Sequence, residues 1–244
     1  MRKTVLITGG SRGIGAACVR LFAQQGWSVR FLYRSRADKA LRLTDELRAL
    51  GHDVACFQCD VADRKCVREA VKEILRTSHR IDALINNAGT AHIGLFTDMT
   101  EQQWDDLFSV NVKGVFNCSQ AVLENMVSEK SGCIVNISSM WGEVGASCEA
   151  AYSAAKAAVI GLTKALAKEM GPSGIRVNCV TPGVIATDMN AELTEDDLAA
   201  LSDETPLMRI GQPEEVAKTV LFLCEEGSSF ITGQVLGVSG GLII

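Results

Sequence analysis

A chain of 244 residues with 24 Lys+Arg against 29 Asp+Glu carries a formal net charge of −5. That length suits one large domain, and the mild acidity argues against nucleic acid or an anionic membrane as partner, since both select clustered Lys and Arg. Nine Cys make an odd count, no apolar run approaches the roughly 18 residues of a spanning helix, and Met1-Arg2-Lys3 runs straight into a short apolar strand. A soluble cytoplasmic protein without a disulfide framework is expected.

β-rich runs and amphipathic stretches alternate along the chain. The predicted strands are Thr4–Thr8, Ser28–Tyr33, Asp53–Cys59, Ala83–Asn86, Cys133–Ser138, Ile175–Val180 and Gln234–Val238. The predicted helices are Gly13–Gln25, Ala37–Leu50, Arg64–Thr77, Gln102–Val127, Ala150–Gly171 and Glu214–Glu225. Ala150–Gly171 is nearly apolar around Lys156 and Lys164, which suits a buried helix or an interface. Such alternation makes βαβ units. The expected fold is α/β: a Rossmann-type doubly wound parallel sheet of seven strands, with helices on both faces. Residues 1–244 read as a single dinucleotide-binding and catalytic domain, with a substrate-loop region at about 183–212.

Gly9-Gly10-Ser11-Arg12-Gly13-Ile14-Gly15 follows the first strand and opens the first helix. A pyrophosphate can rest there on backbone N–H groups and the positive end of the helix dipole. The second strand then ends Tyr33-Arg34-Ser35-Arg36. An acid usually stands at this place to accept from the ribose hydroxyls of NAD, and it would repel a 2′-phosphate. Here Arg34 and Arg36, with Arg12 near them, can instead surround a phosphate. NADP(H) is the expected cofactor.

With these residues stand Asp60-Val61, Asn86-Asn87-Ala88-Gly89, Asn111, Ser139, Tyr152-Ser-Ala-Ala-Lys156 and Pro182-Gly183. In that set the chain resembles the short-chain dehydrogenase/reductase family over its whole length, nearest in pattern to the 3-oxoacyl-(acyl-carrier-protein) reductases of fatty acid biosynthesis. The resemblance implies that Asp60 and Val61 flank the adenine and that Asn87, Ala88 and Gly89 support the cofactor. It also implies that Ile185 and Thr187 hold the carboxamide. Ser139, Tyr152, Lys156 and Asn111 become the catalytic set: Tyr152 is the general acid, Lys156 also binds the ribose, and Asn111 holds a relay water. A homotetramer is implied as well.

The residues support part of this by themselves. Tyr152 and Lys156 are four apart, so they share one helix face. A free Tyr has a pKa of about 10, and a neighbouring ammonium is expected to lower it toward catalytic range. Ser139, just past a strand, can bond a carbonyl oxygen. Other patterns carry less. Cys56 and Cys59 have metal or redox spacing, but on a strand they point to opposite faces. His52, His79 and His92 have no companions, so no metal is expected.

The resemblance implies a ketone substrate, with acyl carrier protein or another protein as its expected carrier. Two departures bear on which. Ser173 stands where a carrier-binding Arg would be expected, leaving Lys130, and Trp141, Glu143, Cys148 and Glu149 stand around the pocket. That loop is similar to the family's elongation factor P 5-aminopentanone reductases, which reduce a ketone on a modified lysine. A carboxylate there would suit an ammonium. The remaining alternative is an inert NADPH-binding regulator on the same fold.

Overall fold

The computed structural model describes residues 2–188 and 194–243, so Met1, Ile244 and part of the 183–212 region lie outside the described residues. Its strands are β1 (Thr4–Thr8), β2 (Ser28–Tyr33), β3 (Val54–Gln58), β4 (Ala83–Asn86), β5 (Gly132–Ile137), β6 (Ile175–Pro182) and β7 (Val235–Val238). They form one seven-stranded sheet in the order β3-β2-β1-β4-β5-β6-β7, parallel throughout. The expected fold is therefore the observed one. Strands covered on both faces read as unbroken apolar runs, and β1 shows why: Val5, Leu6 and Ile7 are all fully buried.

The helices are α1 (Gly13–Gln24), α2 (Ala37–Ala49), α3 (Arg64–Ser78), α4 (Glu101–Phe108), α5 (Gly114–Glu129), α6 (Trp141–Val144), α7 (Ala150–Met170), α8 (Glu195–Glu204) and α9 (Pro213–Cys224). Val5 and Ile7 pack with α1, α2 and α9. Leu6, pointing the other way, packs with α3, α5 and α7. Cys56 and Cys59 fall into those two separate clusters, as strand alternation requires. No helix among the described residues is long and apolar enough to cross a membrane.

One predicted helix is corrected. Gln102–Val127 is not continuous: α4 passes through a π-helical stretch, Ser109–Lys113, into α5. The wider turn lets two helices face different partners. Leu107 and Phe108 pack with Tyr152 and Ala155, while Cys118, Val122 and Met126 reach the sheet. Gly114 follows at once because a Cβ there would meet Val61 Cγ2 at 2.7 Å. Two helices were not expected. α6 has only four residues, and α8 is acidic in its first turn with no buried residue, so neither carries an apolar stripe.

A buried polar chain crosses the sheet. Asn86 Nδ2 donates to Ser119 Oγ (3.0 Å) and to Asn136 Oδ1 (2.8 Å), and Asn136 Nδ2 donates to Thr163 Oγ1 (2.9 Å). It joins α5, β4, β5 and α7, the elements that carry one side of the cleft. Breaking a buried network leaves unpaired groups at about 1–3 kcal/mol each. Asn136→Ala should therefore lower the unfolding free energy by an amount of that order, seen as a lower urea midpoint at an unchanged slope, and an unchanged midpoint would contradict this accounting.

Candidate active site

The chain runs from β3 back across the sheet to β4, so the strand order reverses between β1 and β4. A crevice forms outside the carboxyl ends of strands at such a point, and a cleft of about 420 Å³ lies there. Its floor is tied by one threonine. Thr8 Oγ1 accepts from the N–H groups of Asn87 (3.0 Å) and Ala88 (2.9 Å). Asn87 Nδ2 donates back to the carbonyls of Thr8 (2.9 Å) and Gly9 (3.2 Å).

On that floor lie Gly9, Ser11, Arg12, Gly13 and Ile14. Gly9 (φ 67°) and Gly13 (φ 52°) take left-handed backbone that favours glycine. The first turn of α1 holds no acid, so its N–H groups remain available to an anion. Gly15 stands behind the cleft and does not line it. Its role is clearance, since a Cβ there would collide with the carbonyl oxygen of Gly9.

One end of the cleft is lined by Arg34 and Ser35 after β2, and by Asp60 and Val61 after β3. The walls are Asn87, Ala88 and Gly89 on one side and Pro182, Gly183, Ile185 and Thr187 on the other. Ile185 also bridges to Gly211, which brings the segment after β6 back toward the sheet.

Ser139, Tyr152 and Lys156 meet at the other end. Ser139 follows β5, and Tyr152 and Lys156 share the inner face of α7, as their spacing predicts. The Ser139 hydroxyl stands beside Tyr152 and favours the charged form of its phenol. Lys156 Nζ lies 5.6 Å from the Tyr152 ring centre and donates to the Ile137 carbonyl at 3.0 Å. Burial shifts both groups away from charge: the Tyr152 phenol is pushed up to about 12, and the Lys156 ammonium down to about 8. The expected lowering of Tyr152 is thus not found. Loss of water outweighs the Ser139 hydroxyl, which favours the charged form, and the Glu149 carboxylate adds to the rise, so the phenol stays protonated at neutral pH.

Asn111 lies in the π-helical stretch and also does not line the cleft. Its Oδ1 accepts from Thr90 N–H (2.9 Å) and its Nδ2 donates to the Thr90 carbonyl (2.7 Å). It thereby fixes the wall at Gly89, where a Cβ would meet Asn111 Oδ1 at 2.8 Å and Lys156 Nζ at 3.4 Å. Of the pocket acids named in the sequence, Glu149 lines the cleft and is half-buried, whereas Glu143 is exposed and outside it. Glu149 is the N-cap residue of α7, yet its side chain makes no cap. Burial raises its carboxyl above the ordinary value, with the Trp141 side chain acting the other way.

Sequence reasoning missed Thr90, which Asn111 grips, and Asp188, which lines the cleft beside Thr187. Asp188 was legible as the acid directly after Thr187; nothing around Thr90 marked it. Among the described residues, no group of three or more His, Cys, Asp or Glu could hold a metal ion.

A cleft at the strand reversal, with Tyr, Lys and Ser gathered at one end, defines a class of dinucleotide-dependent oxidoreductases. A family model described as enoyl-(acyl carrier protein) reductase matches residues 9–243, and the chain belongs to the short-chain dehydrogenase/reductase family. It is 41% identical over 242 residues to a 3-oxoacyl-[acyl-carrier-protein] reductase, FabG, of Staphylococcus aureus, covering 99% of this chain and 98% of that one. It is 42% identical over 244 residues to FabG of Thermotoga maritima, with 99% and 98% covered. A solved 3-oxoacyl-[acyl-carrier protein] reductase of Brucella melitensis superposes with a TM-score of 0.93 at 36% identity, covering 99% of this chain and 91% of that one. The chain is therefore an enzyme, an oxidoreductase of the 3-oxoacyl-[acyl-carrier-protein] reductase type, and the regulator alternative falls away.

Members of the family work with a nicotinamide cofactor, and the cleft fits one. A Cβ at Gly13 would lie 3.3 Å from Thr187 Cγ2 on the opposite wall and narrow the cradle, and Arg12 and Arg34 stand at the end away from Tyr152. Gly15→Ala should press on the Gly9 carbonyl and destabilise the fold by about 1–3 kcal/mol. It should also weaken dinucleotide binding in a fluorescence titration; normal binding would show that the loop has room to give.

Proposed function

We propose that this enzyme reduces the ketone of a 3-oxoacyl group, carried on acyl carrier protein, to the secondary alcohol, with NADPH as its cofactor. The observation that carries the reading is the gathering of a protonated Tyr152, Ser139 and a buried Lys156 at one end of a dinucleotide-sized cleft. Bound NADPH supplies the hydride. The chain's own residues do the rest. Ser139 and Tyr152 donate hydrogen bonds to the ketone oxygen, and Tyr152 gives its proton to the oxygen as charge develops there. Lys156 offsets the negative charge left on the phenol. Arg12, Arg34 and Arg36 receive the 2′-phosphate, and no acid at the end of β2 opposes it. Asn111 supports the wall by holding Thr90, a positioning role.

A homotetramer and a cytoplasmic location complete this reading. Supporting the assembly, the outer face of α7 presents Ala154, Ala157, Ala158, Gly161 and Ala165 to solvent. Elsewhere on the surface Phe222 and Phe230 are exposed. Patches of this kind mark interfaces.

The test is NADPH oxidation with a short 3-oxoacyl thioester. Tyr152→Phe should lower turnover by roughly two to four decades while leaving NADPH binding nearly intact. For the wild type, kcat/KM for reduction should fall as pH rises through about 8, because Lys156 loses its proton there. Lys156→Arg should move that limb to higher pH. Near-normal turnover in Tyr152→Phe would place the proton donor elsewhere.

One observation favours a second reading, the ketone of an aminopentanone-modified lysine on elongation factor P. Glu149 is a half-buried carboxylate in the cleft wall, and no basic side chain pairs with it among the described residues. A half-buried carboxylate with no cation beside it is costly, and a substrate ammonium would supply the cation. Lys130 and the Gly171–Ser173 turn meet at Gly174, so Ser173 places a neutral side chain near Lys130. If the second reading holds, Glu149→Gln should raise KM for an aminoketone about tenfold and leave a neutral ketone of equal size unchanged. Equal effects on both would dismiss it.

A further inference from the structure

Asp188 sits among cations at the end of the cleft away from Tyr152. Its carboxylate lies 2.7 Å from Lys39 Nζ on α2 and 3.7 Å from the Arg12 guanidinium of the glycine loop. Arg36 turns to Asp38 at 3.3 Å, yet the negative charge of Asp188 still favours its charged form. Lys39, Arg12 and Arg36 in turn hold the Asp188 carboxyl below its ordinary value. Arg34 has no acidic partner among the described residues. The Asp188 carboxylate thus occupies the place that these side chains make for an oxyanion. Lys39 lies outside both the glycine loop and the end of β2, the two stretches where a phosphate partner is usually sought.

We infer that Asp188 is a built-in competitor for the cofactor's 2′-phosphate, and that Lys39 is a further phosphate-selecting cation which Asp188 holds until the phosphate takes it. This rests on the NADPH reading above. A carboxylate and a phosphate ask for the same donors, and two anions cannot share them without repulsion. The ion pairs at Asp188 are half exposed, with side-chain exposures of 37–52%, and such pairs are weak enough to yield. A cofactor with the phosphate therefore releases Asp188, and one without it leaves the clasp closed. Because Asp188 follows Thr187 on the opposite wall, the exchange ties phosphate recognition to the segment leaving β6.

Calorimetric titration with adenosine 2′,5′-bisphosphate and with adenosine 5′-monophosphate tests this without any hydride chemistry, because the two probes differ only in the 2′-phosphate. The wild type should prefer the bisphosphate. Asp188→Asn should tighten the bisphosphate about two- to fivefold at low salt and leave the monophosphate unchanged. Lys39→Met should loosen the bisphosphate by roughly tenfold, and adding Asp188→Asn to it should recover less than in the presence of Lys39. An Asp188→Asn protein whose bisphosphate affinity is unchanged or weaker, or which gains equally for both probes, overturns the inference. A wild type that binds both probes alike overturns the NADPH reading itself, and the wild-type titration shows this before any variant is made.

Discussion

The hydroxyl of Thr8 governs how this molecule presents its cleft. It accepts from two consecutive backbone N–H groups beyond β4, and its neighbour Asn87 returns two bonds to the end of β1. Parallel strands side by side send their chains off in the same direction, and at a strand reversal those chains part. Without a tie, the parting would be an unsatisfied gap, at the usual cost of unpaired backbone donors. With it, the glycine loop and the Asn87–Gly89 wall hold a fixed separation. From there the order passes outward, through Thr90 to Asn111 and from Gly89 toward Lys156. The Tyr152 end of the cleft is thus held in place by the same few residues that shape its glycine-rich end.

The two ends use opposite electrostatic regimes. At the arginine end, charges are exposed, paired and screened, so each interaction is small and exchangeable. At the Tyr152 end the groups are buried. There the phenol keeps its proton and the ammonium is held only loosely, the reverse of what simple attraction between them would give. A buried pair in which burial opposes charge on both groups can respond strongly when charge appears beside it, because little solvent competes.

Much of this was legible from residues. Strand periodicity located the ends of β1, β2 and β4 without error, since apolar runs bounded by glycine, asparagine and charge leave little freedom. The shared face of Tyr152 and Lys156 followed from helical spacing alone. The π-helical turn did not show, because its energetic reason lies far away in sequence: Val61 needs the close approach of Gly114, and Thr90 needs the side chain of Asn111. The shift of Tyr152 was misjudged for a related reason. Spacing shows which charge is near, but not how much water has been removed. Asp188 was overlooked because a single acid after a strand resembles a surface residue until Lys39 is seen opposite it.

The strand order also sets a timetable for synthesis. β1 lies at the middle of the sheet, between β2 and β4, and the backbone N–H of Thr4 finds its acceptor in Asp82, 78 residues further on. A ribosome adding about 5–20 residues per second needs several seconds to deliver that partner after β1 is finished. During the interval Val5, Leu6 and Ile7, destined for complete burial on both faces, have an open hydrogen-bonding edge beside them. Contacts so distant along the chain also slow folding in the finished molecule. The arrangement that creates the cleft thus leaves the nascent chain with its most adhesive strand exposed first and covered late.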